Sequence, residues 1–205
     1  MTGHETMIIA LVRHGETEWN RQRRWQGRQG VGLNDLGRRQ ASAAAPLLRG
    51  VDWSWMITSP LERTVETARI IADELAAAAP SDLSLEEDDG VIERAYGAAE
   101  GVLAAEAARR WPDGRFPGME TDSELADRGA AALRRIAAAR SGNGIVVSHG
   151  SFIRATINAL TGVDAPRILN GSVSLVRTDG AIWEVVDVNR VTDVAGAGLV
   201  EHSGG

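Results

Sequence analysis

The chain has 205 residues, 43% hydrophobic and 24% charged, with a formal net charge of −6. That length suits one substantial core, and the acidic balance argues against a general attraction to polyanions. There is no cysteine and no lysine, all 22 basic residues being arginine, which excludes disulfides, a thiolate nucleophile, cysteine-ligated zinc, Schiff-base chemistry and a P-loop lysine.

No apolar run is long enough to cross a bilayer, and no leader-like segment opens the chain, so a cytoplasmic location without membrane association is expected. Met7 to Val12 predicts a short buried strand. It ends at Arg13-His14-Gly15, where Gly15 is expected to supply a turn conformation that other residues resist. Charged residues there serve packing badly, but open α/β sheets bind ligands beyond the carboxyl ends of their strands. Asn20 to Gly32 carries Arg21, Arg23, Arg24 and Arg28 around Trp25 and reads as a loop. Asn34 is placed to cap a helix through Leu48 that Pro46 kinks or shortens.

Trp53 to Thr58 predicts a second strand, leading into Ser59-Pro60-Leu61-Glu62. There, a serine N-cap, proline at N1 and glutamate at N3 announce a helix through Leu75 that ends before Pro80. A short strand over Leu83 to Glu86 and an acidic turn precede Val91 to Gly97. Helices over about Val102 to Trp111 and Ser123 to Arg140 follow, separated by the Pro112 to Gly118 loop. Ile145 to Ser148 is another buried strand ending in a charged step, His149-Gly150, with Ser151 placed to cap the next helix through Leu160. Val173 to Arg177 and Ile182 to Val188 alternate as a hairpin around Asp179-Gly180. Residues 191–205 read as a loosely attached tail after a single domain over 1–190. Strands alternating with helices predict an α/β fold, a three-layer α/β/α sandwich with a mostly parallel central sheet.

Four histidines are present. His4 and His202 lie near the termini, whereas His14 and His149 each end an apolar strand and precede glycine, an arrangement that parallel strands would bring to one rim. Arg13 and Arg63 would add positive charge to that rim.

These residues carry a resemblance. Leu11-Val12-Arg13-His14-Gly15-Glu16-Thr17 resembles the signature of the histidine phosphatase superfamily, phosphoglycerate-mutase-like branch. Its companions follow in order: Gln26-Gly27, Leu33 to Gly37, Ser59 to Thr64 with Thr67-Ala68, Glu93 with Tyr96-Gly97 and Glu100-Gly101, and Val147 to Gly150. The resemblance implies His14 as nucleophile forming a phosphohistidine. Arg13, Arg63 and a protonated His149 would hold the phosphoryl charge, with Gly150 assisting and Glu93 as general acid and base. Asn20, Gln26 and Gly27 would bind substrate, and neither metal nor other cofactor is expected.

Water as acceptor makes such a protein a phosphatase; a phosphoglycerate acceptor makes it a 2,3-bisphosphoglycerate-dependent mutase. The resembling mutases carry an insertion after Tyr-Gly that supplies a lysine and an arginine pair to grip the substrate carboxylate. Here the stretch is short, the lysine cannot exist, and Arg109-Arg110 are expected to face solvent. Glu93-Arg94 with Tyr96-Gly97 resembles the mutase wording, while Ser151 stands where mutases often carry asparagine. Phosphatase on a small phosphoester is the favoured reading, ahead of mutase and of a non-catalytic phosphoryl-binding module. Gln29-Gly30-Val31-Gly32 departs from the family's usual entrance-loop wording. The arginine-rich loop suggests larger or multiply charged substrates; with the acidic net charge it does not suggest nucleic acid. Trp53, Trp55 and the sheet edges suggest a homodimer.

Overall fold

A computed structural model describes residues 6–78 and 83–194. The N-terminal apolar run forms β1 (Met7–Arg13), and Thr17 then opens a single helical turn, α1 (Glu18–Arg21), through a reciprocal cap with Asn20. The expected loop over Asn20 to Gly32 thus begins on helix, because Thr17 and Asn20 satisfy each other's backbone N–H groups. Asn34 caps α2 (Asp35–Ala44) by accepting from the Gly37 N–H at 2.8 Å. Pro46 does end that helix, the chain tightening into one 3₁₀ turn over Ala45–Leu48.

β2 (Trp53–Thr58) has the expected bounds, but α3 (Glu62–Ala78) begins at Glu62. Ser59 and Pro60 lie ahead of it, and the Ser59 hydroxyl is shared between the Leu61 N–H at 3.4 Å and His149 Nε2 at 2.8 Å. The predicted continuation toward Pro80 falls on residues 79–82, outside the described residues. β3 (Leu85–Glu87) is shorter and later than predicted. α4 (Ala104–Arg110) and α5 (Asp122–Ala139) follow, α5 capped by a Thr121–Glu124 box that the apolar spacing did not announce. β4 (Asn143–Ser148) runs into α6 (Gly150–Thr161). His149 occupies the N-cap position of α6, and Ser151, the predicted cap, pairs with Tyr96. β5 (Val173–Thr178) and β6 (Trp183–Arg190) form the antiparallel hairpin.

The single sheet has the order β3-β2-β4-β1-β5-β6. β1 to β4 are parallel and the hairpin joins antiparallel beside β1. Alternate residues face opposite layers. Ile9, Leu11, Ile57 and Val146 pack against Leu133, Ile136, Phe152 and Ile153 of α5 and α6. Ala10, Val12, Met56 and Val147 pack against Ala44, Ala68 and Ile71 of α2 and α3. Large aliphatic side chains so buried contribute ~1.5–3 kcal/mol each.

Trp55 is 4% exposed within the first of these clusters, and Trp53 donates to the Leu48 carbonyl at 2.7 Å, so both act within the chain. The edge strand β6 is irregular, with register shifts against β5 and Asn189 at φ 62°. Thr192 donates to the Ala43 carbonyl at 2.5 Å, pinning the start of the predicted tail to α2. Residues 195–205, with His4 and His202, lie outside the described residues.

Gly15 is needed for a reason other than the predicted one: its φ is not positive. A Cβ there would sit 2.1 Å from the Gly37 carbonyl oxygen, and one on Gly37 would meet the Glu16 carbonyl at the same 2.1 Å. Backbone atoms cannot yield as a flexible side chain can. Gly15→Ala should therefore lower stability by at least ~1–3 kcal/mol, read from its urea midpoint. A midpoint equal to wild type would mean the two segments separate freely.

Candidate active site

β1 and β4 place Arg13 opposite Ser148, and the His14 amide donates to the Ser148 carbonyl at 3.0 Å. The chain leaves β1 toward α2 on one face and leaves β4 toward α6 on the other. A crevice between neighbouring strands whose chains part this way is a switch point, where open α/β sheets bind ligands. His14 and His149 stand there with ring centroids 5.3 Å apart.

His14 Nδ1 lies 2.7 Å from the Gly15 carbonyl. A carbonyl only accepts, so Nδ1 carries the proton and Nε2 keeps its lone pair. Burial, with the charges of Arg63 and Arg13, pushes this histidine well below its usual pKa. His149 Nε2 is 2.8 Å from the Ser59 hydroxyl, which itself accepts from the Leu61 N–H at 3.4 Å. With Leu61 donating to it, the Ser59 hydroxyl can give its own proton to Nε2, the tautomer that keeps the neutral ring's proton on Nδ1. Burial, then Arg63, His14 and Arg13, hold His149 well below its usual pKa. In the free site these effects favour the neutral form of His149 beside two guanidinium groups, whereas the protonated form is expected with a phosphoryl group in place.

Both arginines are buried, Arg13 8% and Arg63 1% exposed. Arg13 donates to the Ile168 carbonyl at 2.6 Å; Arg63 donates to the Gly27 and Gln29 carbonyls at 2.6 and 2.8 Å. Burial brings each down to about 10, so both stay charged at neutral pH. Arg13 Nε, Arg63 Nε and His149 Nδ1 are buried without a protein partner. Buried donors are seldom left unpaired, and these surround His14.

Glu93 completes the group. Its Oε1 accepts from the Arg94 N–H at 2.9 Å and from the Phe152 N–H in the first turn of α6 at 3.2 Å. Burial raises its carboxyl pKa, although those N–H groups and Arg63 and Arg13 oppose the shift.

The predicted binding residues are placed less directly. Gln26 Oε1 accepts from the Thr17 hydroxyl at 2.9 Å, and Gly27 turns its carbonyl to Arg63. Asn20 Oδ1 accepts from Thr17 N–H and from Asn170 Nδ2, which also donates to the His14 carbonyl at 3.1 Å. A Cβ on Gly150 would meet Arg13 Nε at 3.2 Å, which places this glycine directly against that guanidinium. Sequence reasoning missed Ser59, which reads as a cap, and Asn170, which no motif marks. Thr67, seen only within the signature, accepts from the Gly15 N–H and donates to the Arg63 carbonyl.

The arginine-rich loop is not a row of free cations. Arg21 pairs with Glu18, Arg24 with the Gly101 carbonyl, and Arg28 with the Glu93 carbonyl and Glu120. Trp25 packs against Tyr96 and Phe116 over the segment that carries Arg109 and Arg110, both exposed. Arg110 is tied to Glu106. Among the described residues, no three His, Cys, Asp or Glu gather into a metal-binding group, and no helix is long and apolar enough to cross a membrane.

Two histidines folded neutral make stability depend on pH. Unfolded histidine titrates near ~6.5, so this contribution is fully present above that pH and is lost as pH falls toward the depressed folded values. The urea midpoint in phosphate-free buffer should drop between about pH 8 and about pH 5, and less steeply for His149→Gln. Identical slopes would remove His149 from the effect.

Comparison with known proteins places the chain in one family. The family model described as histidine phosphatase superfamily (branch 1) matches residues 9–191. A Bacillus subtilis (strain 168) protein named "Uncharacterized phosphatase PhoE" is 35% identical over 193 residues, spanning 92% of this chain and 97% of its own. A Proteus mirabilis (strain HI4320) protein named "Probable phosphoglycerate mutase GpmB" is also 35% identical, over 91% of this chain and 96% of its own. Among solved structures, Bacillus stearothermophilus YhfR superposes with TM-score 0.79 at 25% identity, over 91% of this chain and 98% of its own.

Proposed function

The chain belongs to the histidine phosphatase superfamily, and on that premise we propose that it is a phosphomonoester phosphatase working through a phosphohistidine on a small phosphorylated metabolite. The observation that carries the chemistry is the buried group of His14 with a free Nε2 lone pair, two charged arginines and a Glu93 carboxyl with raised pKa.

In the first step His14 Nε2 bonds to phosphorus while the ester P–O bond breaks. The equatorial oxygens gain charge that Arg13, Arg63, the His149 Nδ1–H and the Gly150 N–H at the start of α6 receive. Such fixed donors are commonly worth ~3–4 kcal/mol each. Glu93 gives its proton to the departing oxygen. In the second step Glu93, now ionised, takes a proton from water, whose oxygen bonds to phosphorus as the N–P bond breaks. Inorganic phosphate leaves and the residues return to their starting state. The two guanidinium groups take the place that a divalent ion holds in many phosphoryl transfers, and activity is proposed to be independent of metal.

A mutase activity is the second reading, supported by the mutase-named relative. Favouring the phosphatase instead, Arg109 and Arg110 are exposed on α4 and Arg110 is tied to Glu106. Phosphorus NMR with 3-phosphoglycerate, a trace of 2,3-bisphosphoglycerate and EDTA separates the two. Release of inorganic phosphate supports the phosphatase, and net 2-phosphoglycerate overturns it. If three-carbon acids are inert, a panel of phosphoesters follows, and turnover that returns only with a divalent ion would overturn metal independence.

A further inference from the structure

Glu93 lies on an irregular segment between β3 and α4, a poor place from which to aim a proton. Two arginines hold it there, and both converge on one carboxylate. Arg128 of α5 donates to the Gly90 and Ile92 carbonyls at 3.0 and 2.9 Å and reaches the Glu93 carbonyl at 3.4 Å. Arg28, from the arginine-rich loop, donates to the same Glu93 carbonyl at 3.2 Å. Glu120 joins them: it grips Arg128 bidentately at 2.8 and 3.0 Å, pairs with Arg28 at 3.5 Å and accepts from the Ala95 N–H at 3.3 Å. Arg128 also lies over the ring of Phe152, whose N–H holds the Glu93 carboxylate.

We propose that Glu120 is a positioning residue for Glu93, acting through Arg28 and Arg128, and that this is the task of Arg28 in its loop. The inference rests on the general-acid reading of Glu93. The two carboxylates have opposite environments. Burial acts to raise Glu120, but Arg128, the Ala95 N–H and Arg28 outweigh it and keep Glu120 ionised. It therefore stays a fixed anion while Glu93 exchanges its proton. The loop bearing Arg28 also supplies the Gly27 and Gln29 carbonyls to Arg63. One short loop thus braces the phosphoryl site and the acid together.

The test uses leaving groups. An alkyl phosphate needs its departing oxygen protonated, whereas p-nitrophenolate leaves without help. Glu93→Gln should cost about 10²–10⁴-fold in kcat/KM on the alkyl ester and far less on p-nitrophenyl phosphate, because kcat/KM reads only the steps up to the phosphohistidine, before Glu93 is needed as base. Glu120→Gln should reproduce that selectivity at about tenfold or more, since small misplacement of a catalytic group is costly. Its inhibition by vanadate should be unchanged. The alkyl-ester activity should also fall at lower pH than in wild type, as water reaching Glu93 lowers its pKa.

Arg28→Ala, at a side chain 43% exposed, keeps the test open if Glu120→Gln folds poorly, and should show the same selectivity more weakly. Equal losses on both esters, or none, in the folded variants would overturn the positioning role while leaving the acid in place. If Glu93→Gln is itself unselective, the acid reading falls and the inference with it.

Discussion

Replacing His14 with alanine is expected to lower kcat on every phosphoester by at least about 10⁴-fold, the scale seen when covalent hydrolases lose their nucleophile. The loss should not depend on the leaving group, because without Nε2 no N–P bond forms. The protein should still fold: His14 contributes one local bond, Nδ1–H to the Gly15 carbonyl, and its removal leaves no buried charge. Quenching wild type during turnover should trap phosphate in an acid-labile, alkali-stable linkage on the peptide bearing His14. Arg13, Arg63 and His149 remain in the variant, so inorganic phosphate should still bind. Activity within about tenfold of wild type would mean that water attacks directly and would remove the covalent step.

The second large effect is expected at Arg63. Its Nη1 and Nη2 hold the Gln29 and Gly27 carbonyls while its Nε is buried without a protein partner, so on the proposed mechanism one side chain both shapes the entrance loop and keeps a donor for the phosphoryl group. Lysine keeps the charge but has no fork, and it cannot serve two carbonyls and an oxyanion at once. Arg63→Lys should therefore lose about 10²–10³-fold in kcat/KM, with kcat falling because the interaction strengthens as charge develops. Its stability should fall as well, since carbonyls left unpaired in a buried site cost ~1–3 kcal/mol each. A lysine variant within about threefold of wild type would show that charge alone suffices.

Much of this protein is readable along the chain. The strand at Met7, β2, the Asn34 cap and the hairpin around Asp179-Gly180 are announced by periodicity and turn chemistry within a few residues. The Arg-His-Gly and His-Gly steps at two strand ends, with the ordered motifs between them, were enough to bring the family and its candidate residues into view. Local signals also misled. Ser59-Pro60 reads as a helix cap and Ser151 as another, yet the Ser59 hydroxyl goes to His149 and the Ser151 hydroxyl to Tyr96. A hydroxyl takes whichever partner the fold brings within reach, and those partners lie 90 and 55 positions away.

The sequence by itself determined the elements, the α/β class and the residues available for chemistry, because propensity, capping and apolar spacing act over one or two turns. Only the tertiary structure decided which carbonyls aim Arg13 and Arg63 and why Gly15 must lack a side chain. It alone decided that burial and two guanidinium groups press His149 toward its neutral form and that Arg28 meets both Glu120 and the Glu93 carbonyl. The physical reason is common to all four. Burial, hydrogen-bond partnership and electrostatic environment are set by groups far apart in the chain, and their values exist only once the strands have paired.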